Sequence, residues 1–191
     1  ELHYDLSVGT GKRLSLFETV GLSLAWQVIE VSSYRPQRTV DASGIDRFLS
    51  VAAGYTYDSR DLREYAARGR YMSFSVNRYG LGTSSVDFMR FNADLRGYVP
   101  LGASVTLAGR VTGSIVAGGT IPTYARMYFG YGERIRGHFR TVLEGENLLG
   151  SSVELRFALL PVRVVRMPGS ILPDDFSVWQ FGISVGLFAD A

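Results

Sequence analysis

The sequence predicts an all-β protein, an antiparallel transmembrane β-barrel with about eight strands in the chain. Three observations carry this prediction. Apolar and polar side chains alternate with a period of two from end to end, and helical periodicity is nearly missing. The polar faces of successive strands carry charges, which need water, while the opposite faces are apolar. The alternating segments are about ten residues long, enough for a tilted strand to cross a ~30 Å hydrocarbon layer, and short connections alternate with long ones.

The first strand runs near Leu2 to Gly9, with Leu2, Tyr4, Leu6 and Val8 on one face, and a hairpin turn is expected at Gly9-Thr10-Gly11-Lys12. The second extends through Leu22, Leu24, Trp26 and Val28, and a polar loop with Arg35, Pro36 and Gln37 separates it from a third carrying Leu49, Val51, Ala53, Tyr55 and Tyr57. The fourth opposes Met72, Phe74 and Val76 to Ser73, Ser75 and Asn77. The fifth is diagnostic: Met89, Phe91, Ala93 and Leu95 oppose Arg90, Asn92, Asp94 and Arg96. The sixth sets Val105, Leu107, Val111 and Ile115 against Thr106, Arg110 and Thr112; the seventh sets Val153, Leu155, Phe157 and Leu159 against Glu154 and Arg156. The eighth sets Trp179, Phe181, Ile183, Val185 and Leu187 against Gln180, Ser184 and Asp190. A soluble lipocalin-like barrel or a β-sandwich also alternates, but its apolar face packs against protein, so periodicity leaves these readings open.

Composition narrows the function. In 191 residues the formal charge is +2, with basic residues scattered among acids, so the electrostatic stripe of a nucleic-acid binder is absent. Cysteine is absent, which removes disulfides, thiolate metal sites and cysteine nucleophiles. His3 and His138 lie far apart without metal-ligand spacing, so neither a metal nor a cofactor is expected. No Gly-x-Ser-x-Gly elbow occurs, and nothing argues for an enzyme. No apolar run approaches the ~18 residues of a membrane-spanning helix. The chain starts at Glu1 with no signal-peptide pattern and reads as a mature or partial chain.

Five stretches, Gly54 to Asp61 with Arg68-Gly69, Tyr98 to Gly102, Tyr128 to Phe139, Leu148 to Phe157 and Phe188 to Ala191, together resemble, in order, the barrel domain of BamA-like outer-membrane assembly factors, the bacterial surface antigen superfamily shared with two-partner secretion transporters. Gly54-Tyr55-Thr56-Tyr57-Asp58-Ser59-Arg60-Asp61 followed by Arg68-Gly69 is similar to the family's Asp-x-Arg-Asp strand end, without its turn proline. Tyr98-Val99-Pro100-Leu101-Gly102 resembles a short family turn. Tyr128-Phe129-Gly130-Tyr131-Gly132 through Ile135-Arg136-Gly137-His138-Phe139 resembles the loop ending in Val/Ile-Arg-Gly-Phe/Tyr, with His138 in the aromatic position. Leu148 to Phe157 resembles the strand that follows, and Phe188-Ala189-Asp190-Ala191 the start of a Phe-x-Asp-x-Gly strand.

The resemblance implies that the loop folds into the lumen and that its arginine engages acidic residues of the next strands. By parity, Glu154 and Asp190 face inward, so Arg136 is expected to bridge them, its planar fork donating several hydrogen bonds at once, while Gly137 allows a sharp turn. An isolated Arg-Gly is otherwise an ordinary exposed loop pair. Asp58, Arg60 and Asp61 are assigned no chemistry and are read as a strand-end turn.

Eight strands can close a small barrel filled by its own side chains, with no room for such a loop. The resemblance implies sixteen, so residues 1–191 are expected to be one partial barrel domain, lacking N-terminal strands, POTRA domains and C-terminal closing strands. It further implies a non-catalytic role in assembling and inserting outer-membrane proteins through a strained lateral seam and bilayer thinning. The implied location is the outer membrane of a Gram-negative-type bacterium. The implied partners are outer-membrane lipids and lipopolysaccharide, unfolded outer-membrane protein clients, and accessory lipoproteins or other envelope subunits. A two-partner secretion transporter, the barrel anchor of a patatin-like lipase and a structural subunit of an envelope complex are the alternative readings.

Overall fold

The computed structural model describes residues 2–32, 37–82, 84–130, 135–136, 140, 142–166 and 178–191. Its frame is one antiparallel meander in which each strand of the main sheet pairs with the next strand of that sheet along the chain. The strands are β1 (Leu2–Arg13), β2 (Glu18–Glu30), β3 (Ile45–Asp58), β4 (Gly69–Tyr79), β5 (Phe88–Pro100), β6 (Val105–Gly118), β9 (Leu148–Arg166) and β10 (Val178–Asp190), and they form an eight-stranded sheet. Between β6 and β9 a two-stranded ribbon, β7 (Met127–Phe129) and β8 (Leu143–Gly145), follows a 3-10 turn at Thr123–Ala125. Among the described residues β1 and β10 each pair on one side only.

The apolar face is uncovered. Leu22, Trp26, Phe74, Phe91, Val111 and Ile115 are all exposed on it, and among the described residues no second sheet packs there as a soluble sandwich would require. The opposite face carries polar side chains in matched rows, since directly opposed residues of antiparallel strands share a face. One row reads Arg96, Arg110, Ser152, Asp190 across β5, β6, β9 and β10; the next reads Tyr98, Ala108, Glu154, Phe188. The all-β transmembrane barrel architecture expected from alternation is therefore the observed one, with its sheet open between β1 and β10 in the described residues.

The structure departs from the expected elements in three places. No turn forms at Gly9-Thr10-Gly11-Lys12: β1 continues to Arg13, Gly9 opposes Ser23 and Gly11 opposes Gly21, and the chain reverses at Leu14 to Phe17, where the Leu14 N–H donates to the Glu18 carbonyl at 2.9 Å. Those glycines thin the inner wall, where they face other small residues, and the unbroken ladder outweighs their turn preference. The alternation of β9 also breaks at Leu159, and Leu160 takes the place opposite Ile183. The ribbon of β7 and β8 has strands too short to show a period.

Both ends of the sheet are shaped by local bonds. Where β2 to β6 meet the long loops, Ile29, Phe48, Val86, Phe88 and Ile121 form a buried cluster, with the Tyr79 ring stacked on Phe88 at 4.5 Å. At the other end the 59–68 turn is built by the strand-end residues. The Arg60 fork donates to both Asp58 oxygens at 2.8 Å, and Asp61 Oδ1 accepts the Ala67 N–H at 3.0 Å. Gly69 closes the turn at φ +102°, where a Cβ would lie 2.3 Å from the Ser59 carbonyl oxygen, so no other residue fits there.

Candidate functional site

The site is a cleft of about 320 Å³ on the polar face, lined by Arg96, Arg110, Ile135, Arg136, Glu154 and Asp190 among others. Its floor is set by sheet register. Ser152 opposes Asp190 and Glu154 opposes Phe188, so two adjacent cross-strand pairs of β9 and β10 make a four-residue tile facing the lumen.

Arg136 sits on that tile. Its Nε donates to Asp190 Oδ2 at 2.9 Å and its Nη2 to Asp190 Oδ1 at 2.7 Å, a two-point fork that a point charge could not form. Nη1 donates to Glu154 Oε2 at 3.0 Å and Nη2 also to Ser152 Oγ at 2.9 Å. The Arg136 backbone N–H donates to Asp190 Oδ2 at 3.0 Å, which fixes the chain as well as the side chain. The guanidinium lies 3.7 Å from the centroid of the Phe188 ring, within cation–π range. Hydrogen bonding to Asp190 raises the Arg136 pKa well above its ordinary value, against the opposing effect of burial.

The structure thus brings together Arg136, Glu154 and Asp190, with Ile135 lining the same cleft. Gly137, His138 and Phe139, the rest of the loop motif, lie outside the described residues. Asp58, Arg60 and Asp61 are elsewhere, in the turn described above, where hydrogen bonding to Asp58 raises the pKa of Arg60.

Sequence reasoning missed Ser152, Phe188 and Gly186. For Ser152 and Phe188 the signal was positional: each stands directly across from a carboxylate already singled out. Phe188 was obscured because an apolar residue on a polar face reads as an irregularity. Gly186 was invisible to pattern. A Cβ there would lie 2.9 Å from Glu154 Oε1, so the glycine is what lets the carboxylate lean across β10.

The rest of the cleft wall is also paired. Arg96 and Arg110 oppose one another across β5 and β6, and both fork onto Asp94, with closest contacts of 2.6 and 2.7 Å. One carboxylate between two guanidiniums offsets the repulsion of a directly opposed like-charged pair. Among the described residues no cluster of His, Cys, Asp and Glu has the arrangement of a metal site.

Comparison with known proteins agrees with this architecture. No curated protein matches the sequence. The crystal structure of BamA from Haemophilus ducreyi lacking POTRA domains 1-3 is similar in fold, with a TM-score of 0.64 at 14% identity over 92% of this chain. The chain spans 39% of that protein's length. The Omp85 superfamily domain model matches residues 2–170, and with that match over most of its length the chain belongs to the Omp85 superfamily.

Proposed function

We propose that this chain is part of the barrel of an outer-membrane assembly factor, which inserts other outer-membrane proteins without catalysing a covalent step and keeps a loop inside its lumen through Arg136. Family membership and the BamA-like sheet support a barrel of the Omp85 type. The observation that carries the finer reading is the Arg136 fork on the Ser152, Glu154, Phe188 and Asp190 tile, on the polar side of a sheet whose other side is uncovered and apolar.

The physical logic runs from solvent to loop. Lipid against the apolar face and water in the lumen satisfy both sides of each strand. Backbone groups on the β1 and β10 edges cannot stay unpaired in hydrocarbon, where each costs several kcal/mol, so in the membrane further strands cover them. Client proteins in unfolded form engage the lateral seam of the closed barrel, and the clasped loop holds the lumen in one arrangement while they do so. The proposed setting is the outer membrane of a Gram-negative-type bacterium.

A charge swap in the full-length protein tests the clasp. Arg136→Glu places three carboxylates together and is expected to abolish heat-resistant folding on gels and the assembly of clients. Adding Glu154→Arg restores a guanidinium beside Asp190 and should recover part of both. Wild-type client assembly by the Arg136→Glu protein would overturn the proposal.

A further inference from the structure

The cleft contains one more guanidinium, and its contacts run away from the loop. Arg156 lies on β9 one row beyond Glu154, opposite Gly186. Its Nε is 3.2 Å from Glu154 Oε1, an ion pair without a well-aligned hydrogen bond, whereas the other oxygen of that carboxylate, Oε2, accepts from Arg136. Glu154 is thus shared, one oxygen to each arginine.

The far end of Arg156 grips the 59–68 turn, which lies at the same end of the sheet but several strands away. Its Nη1 donates to the Ala66 carbonyl at 3.2 Å, and its guanidinium lies 4.5 Å from the Tyr65 ring and 5.5 Å from the Tyr98 ring. Tyr65 and Ala66 belong to the turn that joins β3 to β4, yet Arg156 is on β9, separated from β4 by β5 and β6 in the sheet. The turn therefore folds across the mouth of the lumen to reach it. Ala66 is 2% exposed and the Arg156 side chain 17%, so the contact is enclosed.

We propose that Arg156 is a positioning residue that couples the 59–68 turn to the lumen loop, holding Glu154 for Arg136 on one side and the turn on the other, so that displacing the turn loosens the loop. The inference rests on the clasp reading above. Two sites, a shared carboxylate and a continuous set of contacts between them are the minimum for such coupling, and the energetic test is non-additivity.

The chain has no cysteine, so Ile135→Cys gives a single reporter within it, beside Arg136. In the full-length protein in outer-membrane vesicles, the maleimide labelling rate of that cysteine is measured in four further backgrounds: Arg136→Ala, Tyr65→Ala, Arg156→Met and the Tyr65→Ala/Arg156→Met double variant. Arg63→Ala, an exposed change in the same turn, serves as control. Tyr65→Ala and Arg156→Met are each expected to raise labelling roughly fivefold or more, the low end of measured couplings between sites. The double variant should not exceed the larger single effect, and the heat-resistant fraction should be unchanged. If Arg156→Met fails to fold, Arg156→Lys keeps a charge beside Glu154 but loses the fork and the ring contacts, and should raise labelling part of the way.

Labelling raised by Arg136→Ala but not by Tyr65→Ala or Arg156→Met overturns the coupling and leaves the clasp intact. Additive effects in the double variant also overturn it. Labelling unchanged by Arg136→Ala removes the clasp itself.

Discussion

Arg136 distributes its bonds unequally, and the inequality is testable. Asp190 receives both arms of the fork and the backbone N–H, and its side chain is 9% exposed, whereas Glu154 receives one arm and is 19% exposed. Asp190→Asn should therefore destabilise more than Glu154→Gln, by about 1–3 against roughly 1 kcal/mol in denaturant melts, below the 3–5 kcal/mol of fully buried pairs because Arg136 is 35% exposed. The pH dependence follows from the sign of the Arg136 shift. Its pKa is raised on folding, so its contribution is present below the ordinary guanidinium value and is lost only under strong alkali. Any weakening of the clasp in acid must come from the carboxylates. Gly186→Ala makes a separate prediction: the added Cβ displaces the Glu154 carboxylate, a flexible group, so the barrel should still fold while the Ile135→Cys reporter labels faster. The two acids were legible from parity because a strand period of two leaves no freedom in facing, while Arg136 was legible from the loop's resemblance to the family motif. Gly186 was not legible, since the space it leaves is defined by a side chain from another strand.

The loop that carries Arg136 is held at its root by a second, independent set of bonds. Asp46 on β3 is 0% exposed, and it accepts the Val40 N–H at 2.9 Å, the Asp41 N–H at 2.8 Å and the Tyr124 hydroxyl at 2.7 Å. Thr123 donates its N–H to the Gln37 carbonyl at 2.7 Å, and Arg126 pairs with Glu144 at 2.7 Å across the β7 and β8 ribbon. Root and tip are therefore fixed separately. Asp46→Asn replaces acceptor capacity with donors that face other donors and should cost about 2–3 kcal/mol, read as faster hydrogen exchange in residues 37–44, with Tyr124→Phe costing about 1. Neither change should release Arg136 from its tile. None of this was visible in the sequence, because Asp46 stands between Ile45 and Arg47 near the start of a strand and reads as one more polar position. Its burial comes from loops about 80 residues apart in sequence meeting above it, with Tyr124 78 residues from Asp46 along the chain.

The two faces of the sheet make opposite demands, and adjacent residues of one strand test them. Phe74 lies on the apolar face and its neighbour Ser73 on the polar face, opposite Asp94. Phe74→Arg should cost about 2–4 kcal/mol of folding in lipid if it sits near the bilayer centre, whereas Ser73→Arg should cost close to nothing. Equal costs at the two positions would mean that the apolar face meets protein instead of lipid. The inner wall is also uneven across its width. On β1 to β4 it is thinned by Gly9, Gly11, Gly21, Ser23, Gly54 and Ser75, and on β5 to β10 it carries the paired arginines and acids. The ribbon that bears the loop packs on the charged half.

Strand number, facing and the inward side of Glu154 and Asp190 followed from local order along the chain, because a pleated strand converts sequence parity directly into a side of the sheet, and Arg136 followed from the loop's resemblance to the family motif. Folding in three dimensions decided the remainder: where the first hairpin turns, that Phe188 and Ser152 complete the tile, that Gly186 makes room for Glu154, that Asp46 is sealed beneath two loops, and that the 59–68 turn reaches Arg156. Each of these depends on which strand lies beside which, and on segments distant in sequence arriving at the same place. Alternation along a single strand carries no record of either.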